Sequence, residues 1–525
     1  SSHFGSRTEE YSRSGGSLGM SNEERDAKVT CGEANQTVGI PVADPPATTV
    51  GSTTVNVNDA SNPIGNGATS PAKEVESKAP RLEALDAPRW LASTQIICYH
   101  FYQEELGKFA SDGGLWTQFF FVLSGFVLAY VEMARPANKV AKLSQLQYVR
   151  KRLVTIYPTY MFALVLMIFR DIPRSKLEWV TLPLHFFLMQ AWIPICAPDP
   201  QKDNWYQCTS QTWNSVSWFM SVLVPYWLLL RPLARFFRRR SLRACYVALT
   251  LLWAWSFIIN MFQWVVKGWG CSDDLCYAYV WNALQAGPLG YIHVYVSGVA
   301  MARVFVLTAM VDGRTGGPPT PDSAQLALNA KGAPWIFRHG CCIGYALYAL
   351  VVGFLDTHGY PVGYLFYHNG GILPQMLLVL VGGAIGQDFL AKHVFQCGLF
   401  IVLGRISYSQ YLMQNRVFDF LQRYIEEEAV FKWIFPFALM ATAYLIQRFI
   451  ERPYTEWQRT RQANGIQGVD ERTIARMDSL LSRCERCWEW RWSGPAIARE
   501  VPPENNSGVG DSSAADAGAK PKEQL

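Results

Sequence analysis

Apolar residues in this chain arrive in blocks of about 17 to 22, separated by short polar or basic segments, and no other feature constrains the fold as strongly. A helix rises about 1.5 Å per residue, so roughly 20 apolar residues cross the ~30 Å hydrocarbon core of a bilayer. Backbone N–H and C=O groups find no water there, so each block must satisfy its own backbone as a helix. Two opening helices, around Arg89–Tyr102 and Phe119–Leu128, are followed by blocks at 153–169, 213–230, 244–266, 288–308, 340–356, 371–388, 395–415 and 430–449. The fold class expected is all-α: a polytopic transmembrane helical bundle of about ten spanning helices plus one re-entrant segment.

The re-entrant segment follows from charge. Leu182–Cys196 is apolar but broken by Pro183 and Pro194, and it lies between two basic clusters, Arg150-Lys151-Arg152 and the run from Arg231 to Arg243. If it crossed the membrane, those clusters would face opposite sides, against the preference of Lys and Arg for the cytoplasmic side. If it dips in and returns, both clusters and both termini are cytoplasmic. Cys196 with Cys208, and Cys271 with Cys276, then fall on the outer or lumenal side, where they could be disulfides or unpaired thiols.

Four regions are expected. Residues 1–86 and 498–525 are rich in small and polar residues and read as disordered tails, 87–455 as the transmembrane domain, and 456–497 as a basic amphipathic segment on the membrane surface. Only 17% of residues are charged and 50% are hydrophobic, which excludes an ordinary soluble protein of 525 residues; the mean hydropathy is +0.04 because the polar tails dilute the average. A net charge of +5, partly in loop clusters, reads as membrane orientation and not as nucleic-acid binding. Cys484 and Cys487 form one CxxC with no second pair at zinc-ribbon spacing, so no metal site is expected.

The chemistry concentrates in the opening helix. Arg89 and His100 are eleven residues apart, three turns plus about 20°, so they share a helix face about 16 Å apart along its axis. A neutral imidazole can take the proton of an attacking hydroxyl, and a guanidinium can hold phosphate. The competing structural readings are a histidine hydrogen-bonded between helices and an arginine anchored at the interface. His185 and His293 sit in apolar surroundings and are expected to be structural. Ser124-Gly125 would let another helix or a ligand approach the second helix closely.

Taken in order, these residues resemble the acyltransferase-3 family of integral membrane acyltransferases over roughly Arg89–Tyr454. The resemblance is carried by the Arg-X10-His spacing, Phe119-Phe120-Phe121-Val122-Leu123-Ser124-Gly125-Phe126, Arg152 with Ile156-Tyr157-Pro158, and Trp218-Phe219-Met220-Ser221-Val222-Leu223. It continues with Pro225-Tyr226-Trp227-Leu228-Leu229-Leu230, Leu403-Gly404-Arg405-Ile406-Ser407-Tyr408-Ser409-Gln410-Tyr411-Leu412, and Glu451-Arg452-Pro453. It implies transfer of an acyl group, commonly acetyl, from acyl-CoA to a hydroxyl or amine of a carbohydrate or lipid acceptor, with no permanently bound cofactor. His100 is then the general base with Arg89 beside it in the catalytic role, and Arg152, Ser124, Gly125, Tyr157, Tyr408 and Arg452 are substrate-binding candidates. Three positions depart from the family pattern: Leu223 stands where a glutamate is usual, Thr155 where a second arginine follows Arg152, and Gln414 where a histidine is expected. The alternatives are a multi-span transporter and a family member without catalysis.

Overall fold

The computed structural model describes residues 80, 82–134, 145–170, 176–198, 206–265, 274–320, 323, 326–354 and 366–463. The remainder of both expected tails and most of the expected surface segment, with Cys484 and Cys487, lie outside these residues.

Helix α1 (Asp86–Phe101) is entered through a 3-10 turn at Glu83–Leu85, just ahead of the boundary placed at residue 87. Pro88 falls in its first turn, where the missing N–H has no helical acceptor to lose. Short turns from Gln103 to Trp116 fold back along α1 and lead into α2 (Thr117–Met133). There follow α3 (Gln145–Arg170), α4 (Lys176–Phe186), the hairpin β1 (Cys196–Pro198) and β2 (Tyr206–Cys208), α5 (Trp218–Arg238), α6 (Leu242–Val265) and α7 (Asp274–Trp281). Next are α8 (Pro288–Ala309), the hairpin β3 (Met310–Asp312) and β4 (Leu326–Leu328), α9 (Gly340–Phe354), α10 (Leu373–Ile385), α11 (Gly398–Leu421), α12 (Glu428–Ile446) and α13 (Arg452–Ala463).

Among the described residues, six helical runs are long and apolar enough to cross a bilayer: Lys108–Met133, Gln145–Phe169, Ser215–Arg238, Leu242–Phe262, Ala278–Ala309 and Glu428–Arg461. Helices α9 and α10 are apolar but shorter. The number is lower than the ten expected because α1 and α11 do not belong to this set. Helix α1 has 16 residues, and α11 carries Arg405, Gln410, Gln414, Asn415, Arg416 and Asp419. Helix α4, whose last five residues begin the Leu182–Cys196 stretch expected to be re-entrant, has 11 residues and covers only about 16 Å. Residues 187–195 then turn back against the start of α5, where Trp192 Nε1 and the Ala191 N–H donate to the Ser221 carbonyl and hydroxyl.

The β1–β2 hairpin pairs Cys196 directly with Cys208, and the two form a disulfide. Cys276 is also disulfide-bonded, and Cys271 lies outside the described residues. Helix α5 starts beside this hairpin and ends about 32 Å away in the arginine run, so the oxidised hairpin and the basic cluster sit at opposite ends of one helix. That is the arrangement expected of a membrane protein with an oxidising side and a cytoplasmic side.

The bundle is centred on α2 and α8, whose apolar windows are 72% and 78% buried, whereas α6 and α3 are 22% and 28% buried and form the periphery. Helices α2 and α8 run parallel: Phe121 stacks on Tyr291 at 4.6 Å, and further along Phe126 and Tyr130 both meet Phe305. Glycines set their separation. A Cβ on Gly125 would collide with the Tyr295 carbonyl, and a Cβ on Gly298 would collide with the Val122 carbonyl.

Candidate functional site

Helices α1 and α11 are also parallel and in contact along most of the length of α1. Trp90 meets Phe400, the Ser93 hydroxyl donates to the Ser407 carbonyl at 3.2 Å, and Phe101 stacks on Phe418 at 4.4 Å. Near the start of α1, Gly404 is packed so closely on Asp86 that a Cβ would collide with the Asp86 backbone. Seven residues make almost two full turns, so His100 lies on the face of α1 that carries Ser93, and Gln414 on the face of α11 that carries Ser407. Two turns beyond the Ser93–Ser407 hydrogen bond, the imidazole and the carboxamide come to the same level of the bundle.

Both groups are unsatisfied. His100 is half-buried, with the rings of Tyr99 and Phe101 beside it, and it makes no hydrogen bond or ion pair among the described residues. Gln414 is 0% exposed, and neither its oxygen nor its nitrogen has a hydrogen-bond partner. One turn earlier, Gln410 Oε1 is buried and unpartnered. The turn before α5 lies against α11 here: Asn214 Nδ2 donates to the Leu412 carbonyl, Asn415 Nδ2 donates to Ser215 Oγ, and Asn214 Oδ1 is left without a donor. A buried amide left without its hydrogen bonds costs about 1–3 kcal/mol, so the unpartnered atoms of Gln414, Gln410 and Asn214 call for a ligand or ordered water to offset that cost.

Arg89 is in the first turn of α1, on the face of His100 and eleven residues before it, and pairs with Asp86 at 3.5 Å. The acids close to His100 in sequence are engaged elsewhere. Glu105 pairs with Lys432, and Asp112 is fully buried. No carboxylate orients the imidazole among the described residues.

The remaining sequence-derived candidates occupy other places. Arg152 lies over the Tyr148 ring, 5.2 Å from its centroid, and its Nε donates to the Tyr148 hydroxyl at 3.3 Å. Ser124 is half-buried, and the space beside Gly125 is taken up by the backbone of α8. Near Pro158 of α3, Tyr157 donates to the Phe186 carbonyl of α4, and Tyr408 of α11 donates to the Ile156 carbonyl of α3. Arg452 is on the surface, paired with Glu456, while the neighbouring Glu451 turns inward and accepts from the hydroxyls of Thr159 and Ser409. Tyr408 and Glu451 thus form a polar joint between α3, α11 and the end of α12, while Tyr157 ties α3 to α4. His185 and His293 are buried and hydrogen-bonded, to the Thr212 hydroxyl and to the Asn369 carbonyl, in keeping with structural roles.

Asn214 was not singled out in the sequence, and Gln410 appeared there only within the Leu403–Leu412 stretch that carries the family resemblance. Gln410 and Gln414 are one turn apart on the α11 face that also carries Ser407, a polar signal present in the periodicity. Asn214 lies in a loop, and only the packing of that loop on α11 brings it to the site.

A family model described as an acyltransferase domain matches residues 82–447, about 70% of the chain. Searches of curated proteins and of solved structures find no match.

Proposed function

The chain belongs to the acyltransferase-3 family, and from that premise we propose that it is a membrane-embedded enzyme moving an acyl group, acetyl in the simplest case, from acyl-CoA to a hydroxyl or amine of a carbohydrate or lipid acceptor, with His100 as the general base. The observation that carries the reading is the half-buried imidazole with no hydrogen bond among the described residues, two turns beyond Ser93 as the fully buried and unpartnered Gln414 carboxamide is beyond Ser407.

The chemistry follows from these groups. An acceptor hydroxyl is a weak nucleophile until its proton is removed, and the free imidazole nitrogen of His100 takes that proton as the oxygen attacks the thioester carbon. The carbonyl oxygen becomes an oxyanion in the tetrahedral intermediate. The amide N–H of Gln414 is a donor for it, while the free oxygens of Asn214 and Gln410 accept from the remaining hydrogens of the acceptor. On collapse the carbon–sulfur bond breaks, the CoA thiolate leaves, and the imidazolium returns its proton to the sulfur. Arg89, about 16 Å along the same face, supplies a fixed positive charge for the phosphates at the far end of the donor, and Arg152 offers a second. The donor then lies along α1 with its phosphates toward the basic side of the membrane, and both termini are cytoplasmic.

The test is His100→Ala in proteoliposomes supplied with acetyl-CoA and a membrane glycolipid extract, reading release of free thiol. Turnover should fall by a factor of about 10²–10⁴, the usual contribution of a general base, with the protein still folded in the membrane. Undiminished thiol release by that variant would remove His100 from the reaction.

A further inference from the structure

The far end of α5 and the turn into α6 hold an arginine cluster that the acyl-transfer reading does not use. Arg238, Arg239, Arg240 and Arg243 lie on or beside this turn, and Arg303 reaches it from α8, its Nε donating to the Arg240 carbonyl at 3.4 Å. Arg239, Arg240 and Arg243 are exposed, but Arg303 is only 7% exposed. Among the described residues no carboxylate pairs with Arg239, Arg240, Arg243 or Arg303. The one hydrogen bond to a carbonyl employs one of five guanidinium N–H groups on Arg303. Arg238 lies within electrostatic reach of it, a like charge that raises the cost of burial. Buried charge without a counter-charge is costly unless an anion completes the site.

The surroundings say which anion fits. The cluster is at the end of α5 opposite the oxidised hairpin, which puts it at the cytoplasmic boundary of the membrane. Above Arg243, on the same side of α6, Val247, Leu251, Trp255 and Ile258 form an exposed apolar stripe, while Cys245 is fully buried on the opposite, inward side of α6, toward Arg303. A phosphate with hydrocarbon attached meets both features at once, its charge among the guanidinium groups and its chains along α6. We propose that Arg303, with Arg240 and Arg243 at its mouth, binds the phosphate headgroup of an anionic phospholipid from the cytoplasmic leaflet. The site stands independently of the acyl-transfer reading.

The experiment is native mass spectrometry of the full chain released from mixed phosphatidylserine and phosphatidylcholine, comparing the wild type with Arg303→Gln. The wild type should retain phosphatidylserine in preference to phosphatidylcholine by about tenfold, and the variant should lose most of that preference while keeping its melting temperature in pure phosphatidylcholine nanodiscs. Should Arg303→Gln fail to fold, a combined Arg239→Gln, Arg240→Gln and Arg243→Gln variant carries the test, with an expected several-fold loss of preference from exposed substitutions alone. Equal retention of the two lipids by the wild type, or an unchanged preference in the variants, overturns the proposal. Displacement of bound phosphatidylserine by millimolar inorganic phosphate or adenosine 3′,5′-bisphosphate would instead make this a site for a soluble phosphate, and overturns the lipid assignment.

Discussion

Gln414→Met exchanges a fully buried carboxamide for a side chain of similar length and volume with no strong hydrogen-bonding group. Both amide atoms of Gln414 lack partners, so the wild-type side chain bears a desolvation cost of about 1–3 kcal/mol that methionine does not. Repacking of the thioether returns up to ~1 kcal/mol of that, leaving a net stabilisation of about 1 kcal/mol. For a chain of this size the melting temperature should rise by roughly 1–3 °C, read by intrinsic tryptophan fluorescence in a single detergent. Turnover should move the other way. If the amide N–H stabilises the oxyanion, its loss should slow thiol release from acetyl-CoA by about 10²-fold, with a smaller change in KM because the interaction tightens in the transition state. A drop in melting temperature would mean that Gln414 has a protein partner in the folded state. A raised melting temperature with full turnover would mean that the carboxamide faces no reacting group. Either result refutes the argument.

Other substitutions test the scaffold. Gly125→Val should force α2 and α8 apart and destabilise the protein by about 1–3 kcal/mol or more, seen as a lower melting temperature, whereas Ser124→Ala should have little effect on stability. Arg231 and Glu132 form a buried ion pair at 2.9 Å, so Arg231→Met alone should cost about 3–5 kcal/mol and the double replacement Arg231→Met with Glu132→Met should recover most of it in a double-mutant cycle. At the β3–β4 hairpin the Asp312 carboxylate is held below its ordinary value of 3.8, first by the Ser323 hydroxyl and then by the Arg314 N–H. A depressed carboxylate contributes stability above its unfolded value and loses it as pH falls through the folded one. The Arg314 and Thr315 amides, both donating to Asp312, should therefore keep their hydrogen-exchange protection from pH 7 to pH 5 and lose it only below about pH 4.

Much of the architecture was legible in the chain itself, because the bilayer leaves few options. Apolar blocks must be helices, and the block at 288–308 is Pro288–Ala309, whereas those at 153–169 and 213–230 are Gln145–Arg170 and Trp218–Arg238, displaced by up to eight residues at one end. The Arg89–His100 spacing likewise determines, by helical geometry alone, that both project from one face of α1. Hydropathy did not set α1 and α11 apart: α1 is short, α11 carries several polar and charged residues, and the contacts between them combine the Ser93–Ser407 hydrogen bond with the Phe101–Phe418 stack.

The site was only half readable. His100 could be named from a single helix because its signal is local, and Gln414 stood out only as an unexpected residue. The parallel packing of α1 on α11, fixed by Ser93 on Ser407 and by Phe101 on Phe418, is what brings the two to one level of the bundle. Ser124-Gly125 illustrates the opposite case: a notch that a substrate or a helix could fill, and α8 fills it. Sequence periodicity specifies which way a side chain points from its own helix; which neighbour it meets, and whether its polar atoms are left unpaired there, depends on contacts between segments hundreds of residues apart.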